Sequence, residues 1–240
     1  MDKLTLKATG NVFIGTDIHG CLDLLFEKLI SMKFDPEKDI FVCGGDLIDR
    51  GPKSNKVLKL LRKKWFYSVM GNHDKFALDA LTHGDKYERE EAGYNWMANG
   101  GTWYAELNEA NRIDVDQLIK DEVSKLPYII EIETLSGQRV GIAHANLPFN
   151  AWKNDWSKIP DSLTKNQKQF ITWDRGLAQE AAWYSKHDPE RLTSSEFVVD
   201  GIDHIYYGHT PFKRPVTIGN QTFIDTKAFK TNNLTIIKLD

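Results

Sequence analysis

Short apolar runs and amphipathic segments alternate along the first 80 residues of the chain. Three apolar runs predict buried strands at residues 11–16, 39–43 and 65–70. Apolar spacing and start signals, including Pro52 near the beginning of the second one, predict helices at residues 22–32, 55–61 and about 75–81. Strands that alternate with helices in this way predict a mostly parallel sheet with helices on its faces.

The pattern changes in the second part of the chain. Residues 83–124 are charged and mostly helical, and residues 146–192 are irregular and partly helical. Strands are predicted at 128–134 and 138–143, joined as a hairpin, and then at 205–207, 222–224 and 234–239. No linker rich in Gly, Ser or Pro divides the chain. We therefore expect one domain over residues 1–240, with a helical cap or insertion at about 83–125.

Composition limits the kind of protein this can be. Of the 240 residues, 41% are apolar and 27% are charged, which is enough for a full core. The net charge of −3 argues against a nucleic-acid binder. Cys21 and Cys43 match no disulfide framework or zinc motif, which favours a reducing compartment. Because we find no signal peptide and no apolar window of membrane-spanning length, we expect a cytoplasmic protein without membrane partners.

Five predicted strands are each followed at once by polar side chains. In chain order these are Asp17 and His19; Asp46, Asp49 and Arg50; Asn72 and His73; His144; and His209. The carboxyl ends of strands are where open α/β sheets bind ligands. The five groups can therefore converge at one place.

Each of these residues has an ordinary structural explanation when it is taken alone. An Asp after a strand is usually a turn or helix-cap residue, and a single His is more often a satisfied polar residue than a ligand. The segment GDLIDRG at residues 45–51 is more specific, because a turn does not require two Asp and one Arg. Five such groups in one order favour a joint site.

The side chains at these strand ends offer carboxylate, amide and imidazole donors, with no thiolate. This set suits Mn²⁺, Fe or Zn²⁺ better than Ca²⁺ or a structural zinc. Six donors fit two ions that share a bridging carboxylate, which is a known device for displacement at phosphorus. The candidate ligands are Asp17, His19, Asp46, Asn72, His144 and His209.

The order of these motifs resembles a known family. DIH at 17–19, GDLIDRG at 45–51, GNH at 71–73, a later His and GHT at 208–210 are similar to the phosphoprotein phosphatases among the calcineurin-like metallophosphoesterases. NGGTW at 99–103 and WDR at 173–175 resemble the bacterial and phage serine/threonine phosphatases of the lambda type. The resemblance implies a central β-sandwich of mixed sheets flanked by helices. It also implies a monomer in the cytoplasm of a bacterial or phage-infected cell.

The resemblance further implies a reaction. Asp17 and His19 would bind one metal ion and Asp46 would bridge two, with Mn²⁺ preferred over Fe or Zn²⁺. The second ion would be held by the remaining ligands, Asn72, His144 and His209. A hydroxide that bridges the ions would hydrolyse phosphomonoesters of Ser and Thr in phosphoprotein substrates in one step.

Three further roles follow from the same resemblance. His73 would be the general acid, because an alkoxide is a poor leaving group, and Asp49 would pair with it and raise its pKa. Arg50, Arg175 and Asn72 would bind the substrate phosphate; an arginine fork matches phosphate oxygens bidentately.

The chain departs from the family pattern at three positions. Thr16 stands where the family often has Gly, and little effect is expected there. Asp74 replaces a common Glu after GNH, which changes contacts near His73. Lys227 replaces a glycine of a DTG stretch, which puts the loop geometry in doubt; a solvated lysine is expected.

Tryptophans are expected mostly in the core, with one or two beside a substrate groove. The residues concerned are Trp96, Trp103, Trp152, Trp156, Trp173 and Trp183.

Two other functions compete with the phosphatase interpretation. A dinucleoside tetraphosphate hydrolase of the same superfamily shares GNHD, but tends to lack Asp49 and the Thr of GHT. An inactive phosphopeptide-binding module would lack a ligand or the acid, and here every such position is filled.

Overall fold

A computed structural model describes residues 1–148 and 154–239. Its strands are β1 (Lys3–Lys7), β2 (Val12–Gly15), β3 (Ile40–Cys43), β4 (Phe66–Ser68), β5 (Ile129–Glu133), β6 (Arg139–Ala143), β7 (His204–Tyr207), β8 (Val216–Ile218), β9 (Gln221–Phe223) and β10 (Ile236–Leu239). They form a six-stranded sheet in the order β1-β5-β6-β7-β9-β8 and a four-stranded sheet in the order β10-β2-β3-β4.

Helices cover the outer faces of these sheets. They are α1 (Leu22–Ser31), α2 (Ser54–Val57), α3 (Asn72–Thr82), α4 (Lys86–Trp96), α5 (Thr102–Ala105), α6 (Glu109–Asp121), α7 (Lys165–Trp173), α8 (Gly176–His187) and α9 (Ala228–Thr231). A 3₁₀ turn, Leu58–Arg62, extends α2, and a π-helical turn, Met97–Gly101, joins α4 to α5. Within the described residues, no helix is both long and apolar enough to cross a membrane.

Strand β2 shows why the sheets pack as a sandwich. Successive side chains of a strand point to opposite faces of the sheet. Val12 and Ile14 pack between the sheets with Ile130 and Ile142 of the other sheet, whereas Phe13 packs under the helices. All four residues of β2 are buried, which explains its continuous apolar run. The predicted α/β sandwich of mixed sheets is therefore confirmed.

Most predicted elements are found, with differences at the edges. The hairpin is present as the antiparallel pair β5 and β6. Strands β1 and β8 were not predicted; β1 adds an edge to the six-stranded sheet by pairing in parallel with β5. Helix α3 begins at Asn72 and not near residue 75, so Asn72, His73 and Asp74 lie in its first turn. That start places the polar residues after β4 at a helix N-terminus.

Candidate metal centre and substrate pocket

The loops after β2, β3, β4, β6 and β7 meet at one end of the sandwich. Backbone hydrogen bonds join the first two loops: the Asp17 N–H donates to the Gly45 carbonyl at 3.0 Å and the His19 N–H to the Asp46 carbonyl at 2.9 Å. The six candidate metal ligands are all buried there: Asp17, His19, Asp46, Asn72, His144 and His209. Both sheets therefore contribute to one cluster.

The backbone of this cluster is strained. Several of its residues adopt the left-handed conformation with positive φ, which costs a non-glycine residue roughly 1–2 kcal/mol. These residues are Asp17 (49°), His19 (45°), Asp46 (53°), Asp49 (75°), Arg50 (67°) and His209 (63°). Such strain persists only where the surrounding structure over-determines it, and it is concentrated here at the residues that the sequence singled out.

Asp46 lies at the centre of the cluster. Its Oδ2 is 3.6 Å from His19 Nε2 and 4.0 Å from His73 Nε2, and its Oδ1 is 3.4 Å from His144 Nε2. Two overlapping groups can hold a metal ion, and Asp46 belongs to both. They are His19, Asp46 and His73 on one side, and Asp46, His144 and His209 on the other. A carboxylate shared between two groups is the arrangement expected of a bridging ligand.

Asn72 joins the second group through its amide. Its Oδ1 is 2.9 Å from both His144 Nε2 and His209 Nδ1. Asp17 lies behind this group, where its carboxylate accepts from the His209 N–H at 3.0 Å and from the Thr16 hydroxyl. All six predicted ligands are thus brought together, although the first group contains His73 and not Asp17.

Two histidines have their tautomers fixed by carbonyl oxygens, which can only accept. His19 Nδ1 donates to the Ile48 carbonyl at 2.8 Å, and His144 Nδ1 donates to the Gly44 carbonyl at 2.7 Å. Each Nε2 therefore presents a lone pair to the centre. Burial lowers the pKa of His19 to about 3 and also lowers that of His144, so both rings are neutral at pH 7. Metal-binding histidines are commonly oriented in this way.

The carboxylates around Asp46 are crowded. Burial raises the pKa of Asp17 well above its ordinary value, and the neighbouring Asp225 and Asp46 raise it further. Burial likewise raises the pKa of Asp74 to about 7 and that of Asp225 to about 6. Divalent cations neutralise such a concentration of buried negative charge. The donors and the electrostatics therefore both fit metal ions.

His73 forms a pair with Asp49 beside the centre. His73 Nδ1 donates to Asp49 Oδ2 at 2.7 Å, and both side chains are buried. Burial acts to lower the pKa of His73, but the carboxylates of Asp46 and Asp49 outweigh it, so the pKa lies above its ordinary value. The structure thus places Asp49 in hydrogen-bonding contact with His73, where the pairing was expected.

The partners of the other Asp49 oxygen were not predicted from the sequence. Asp49 Oδ1 accepts from the indole N–H of Trp96 at 2.9 Å and from that of Trp103 at 2.7 Å. Trp103 belongs to the NGGTW segment, so its presence in a motif was the available signal. Trp156 is buried in the core as expected, Trp183 is exposed, and Trp152 lies outside the described residues.

Asp74 supports the loop of Asp46. Its Oδ2 accepts from the N–H groups of Asp46 and Gly71 at 2.9 and 3.1 Å, and its Oδ1 accepts from that of Leu47 at 3.0 Å. The carboxylate of Asp74, at the start of α3, thus points to the loop of Asp46. The change in contacts that was expected near His73 therefore falls on that loop.

A cavity of about 490 Å³, the central pocket, opens above the cluster. It is lined by Asp46, Arg50, Asn72, His73, Asn99, Trp173, Arg175, His209, Pro211, Asp225, Lys227, Phe229 and Lys230. Arg50 Nη1 donates to His19 Nε2 at 2.8 Å, and its guanidinium stacks on the Phe229 ring at 5.1 Å. Arg175 Nη1 donates to the His209 carbonyl and to Thr210 Oγ1, both at 3.2 Å.

Lys227 also lines this pocket, and it is half-buried, which differs from the expected solvated lysine. It adopts φ 60° and ψ 50°, a left-handed conformation that glycine reaches more readily. The Lys227 N–H donates to Asp225 Oδ1 at 2.6 Å, which holds the turn in this form. The loop therefore keeps a glycine-like backbone although its glycine is replaced.

The sequence profile of the calcineurin-like phosphoesterases matches residues 11–212, which include the cluster and most of the central pocket. The chain belongs to the calcineurin-like phosphoesterase family. Within that family it is 32% identical to serine/threonine-protein phosphatase 1 of Salmonella typhimurium, over 99% of this chain and 95% of that protein. It is 25% identical to the asymmetrical bis(5'-nucleosyl)-tetraphosphatase of Oceanobacillus iheyensis, over 91% of this chain and 84% of that protein.

Solved structures support the same fold. A chain described as a candidate diadenosine tetraphosphatase superposes with a TM-score of 0.61 at 23% identity, covering 99% of this chain and 97% of that one. Calcineurin-like phosphoesterases depend on two metal ions, and the donors around Asp46 fit that requirement. This protein is therefore a phosphoesterase whose cluster can hold metal.

Proposed function

We propose that the protein hydrolyses phosphoserine and phosphothreonine in phosphoproteins, with two divalent metal ions as cofactors. The observation that carries the proposal is the buried His73–Asp49 pair, which opens on the same pocket as Arg50 and Arg175. A serine alkoxide is a poor leaving group, so its departure requires a proton donor at the site of cleavage.

The metal ions would be held by the residues around Asp46. Asp17 and His19 would serve one ion, Asn72, His144 and His209 the other, and Asp46 both. Oxygen and nitrogen donors of this kind suit Mn²⁺, and Fe or Zn²⁺ as alternatives. When bound, the ions supply positive charge to the phosphoryl oxygens and lower the pKa of a water molecule.

His73 would deliver the proton to the leaving oxygen. Because its Nδ1 donates to Asp49, its Nε2 faces the centre, 4.0 Å from Asp46 Oδ2. The raised pKa of His73 favours the protonated ring, whose Nε2–H would serve as the acid. Asp49, fixed by Trp96 and Trp103, would hold the ring in this orientation.

Arg50, Arg175 and Asn72 would bind the substrate phosphate. Both arginines line the central pocket, and a guanidinium fork can contact two phosphate oxygens at once. Neither arginine forms an ion pair with a carboxylate of the described residues, so each charge is available to a substrate. Stacking on Phe229 limits the orientations of Arg50.

A dinucleoside tetraphosphate hydrolase is the second candidate, because a relative of that name aligns over 91% of this chain. The protein phosphatase relative is more similar over a larger share, with 32% identity over 99%. A comparison of kcat/KM for a phosphoseryl peptide and diadenosine tetraphosphate separates the two. Turnover of the dinucleotide that is faster by orders of magnitude would overturn the protein phosphatase proposal.

His73→Asn tests the proposed acid. We expect a loss of about 10²–10⁴-fold in kcat on phosphoserine, which is typical of a lost general acid, and a much smaller loss on p-nitrophenyl phosphate, whose phenolate leaves without protonation. His83→Asn, outside the pocket, is the matched control and should leave both activities unchanged. Equal losses on both substrates would contradict the role of His73.

A further inference from the structure

A second depression, the basic groove, continues from the central pocket. It has a volume of about 980 Å³ and lies between α8 and the segment 210–217 that leads into β8. Its floor is apolar: Ala178 is buried, and Ala182, Leu192, Phe212 and Val216 are half-buried. A floor of this kind can accommodate an extended peptide without a large desolvation cost.

The charges that line the basic groove all have one sign. Lys186, Lys213 and Arg214 line it, and no Asp or Glu is among its described lining residues. The whole chain has a net charge of −3, so a groove with cations alone departs from the average surface. All three side chains are exposed, and none forms an ion pair with residues 1–148 or 154–239.

Some lysines elsewhere on the protein are held in ion pairs. Lys53 pairs with Asp23 at 2.6 Å, and Lys75 pairs with Asp79 at 2.7 Å. Those cations are already neutralised by a neighbour within the chain. The three cations of the basic groove are therefore free to attract an external anion.

The basic groove is continuous with the central pocket. Pro211 lines both depressions, and the Thr210 hydroxyl, which lines the groove, accepts from Arg175 of the pocket at 3.2 Å. A peptide with its phosphorylated residue in the central pocket would cross Pro211 into the groove. The residues that flank the phosphorylated position would then lie beside the three cations.

We propose that the basic groove binds acidic residues next to the phosphorylated residue, so that the enzyme prefers acidic phosphopeptides. The proposal rests on the phosphoprotein phosphatase function and names its substrate class. Because exposed ion pairs are individually weak and screened by salt, we expect about a tenfold preference in kcat/KM, mostly in KM, that declines as salt is added.

The test uses three phosphoserine peptides of equal length with acidic, neutral or basic flanking residues. The protein is compared with the double variant Lys213→Glu/Arg214→Glu. The matched control is Lys63→Glu/Lys64→Glu, which makes the same change of charge at exposed residues before β4, on the side away from the central pocket. A third variant, Lys186→Glu, reaches the same groove from α8.

We expect the unaltered protein and the control to prefer the acidic peptide, and both groove variants to lose or reverse that preference. Turnover of p-nitrophenyl phosphate, which is too small to reach the groove, should stay unchanged and shows that each variant is folded. Equal rates on all three peptides, or an equal loss of preference in the control, would overturn the groove proposal alone. Hydrolysis of p-nitrophenyl phosphate without that of any phosphopeptide would refute the proposed function as well.

Discussion

Individual residues of the centre hold conformations that their own chemistry disfavours. The sequence predicted that Asp46, Asp49 and Arg50 lie together, because charged residues among glycines exceed what a turn requires, and the structure brings them to one end of the sandwich. It could not show that all three adopt positive φ. That strain is imposed by tertiary hydrogen bonds such as those of Asp46 N–H to Asp74, which no local pattern encodes.

Asp74→Asn tests the importance of this support. One amide oxygen cannot replace two carboxylate oxygens that accept from three N–H groups, so buried donors lose their partners. We expect a loss of about 1–3 kcal/mol in the free energy of unfolding, measured by urea denaturation. Asp79→Asn, on the same helix and partly exposed, is the control; a similar loss there would indicate a general effect on α3.

At the scale of elements, the strands buried on both faces were predicted well because their apolar runs are continuous. β1 was missed although Leu4 and Leu6 alternate with polar residues, as in a half-buried strand, because the run is only five residues long and lacks a continuous apolar segment. The helices α4, α5 and α6 fall in the predicted helical region, but their boundaries were not predictable. Their turn at Gly100, with φ 116°, and the hydrogen bond from the Arg50 N–H to the Gly100 carbonyl depend on the tertiary structure.

The turn from α4 to α5 brings two indoles to one carboxylate. Trp103→Phe keeps an aromatic ring but removes the N–H that donates to Asp49. We expect kcat on phosphoserine to fall by about tenfold, since a hydrogen bond to a charged group contributes about 1.5–3 kcal/mol and Trp96 remains. Activity on p-nitrophenyl phosphate should fall less.

The control for this change is Trp183→Phe on α8, where the indole is 55% exposed. It should alter neither activity. If Trp103→Phe lowers both activities by the same factor, the indole supports the fold of the pocket and not the orientation of the acid.

At the scale of the whole molecule, the centre joins the two sheets. The four-stranded sheet supplies the loops after β2, β3 and β4, and the six-stranded sheet supplies those after β6 and β7. The convergence of the five polar groups could be predicted from the sequence, because each group follows the carboxyl end of a strand. Which sheet each strand joins is decided by long-range pairing, such as the parallel pairing of β6 with β7.

Metal ions bound between the sheets should stabilise the entire fold. We expect a chelator to abolish activity and Mn²⁺ to restore it. At a free Mn²⁺ concentration of 100 times its Kd, binding adds about 2.7 kcal/mol to the free energy of unfolding, which raises the Tm by about 5–10 °C. Differential scanning calorimetry measures the shift. Asp46→Asn should remove most of this shift in Tm, whereas the control Asp23→Asn, at an exposed ion pair, should not. Full activity without metal would refute the two-metal proposal.

The sharing of one centre between two sheets has a mechanical consequence. A slide of one sheet against the other by about an ångström would leave the hydrogen bonds within each sheet intact, yet it would separate His144 from Asp46. Displacements of that size can cost about 10²-fold in rate. The reaction rate therefore depends on the alignment of the two sheets. On heating, activity should decline before the strands within each sheet begin to separate.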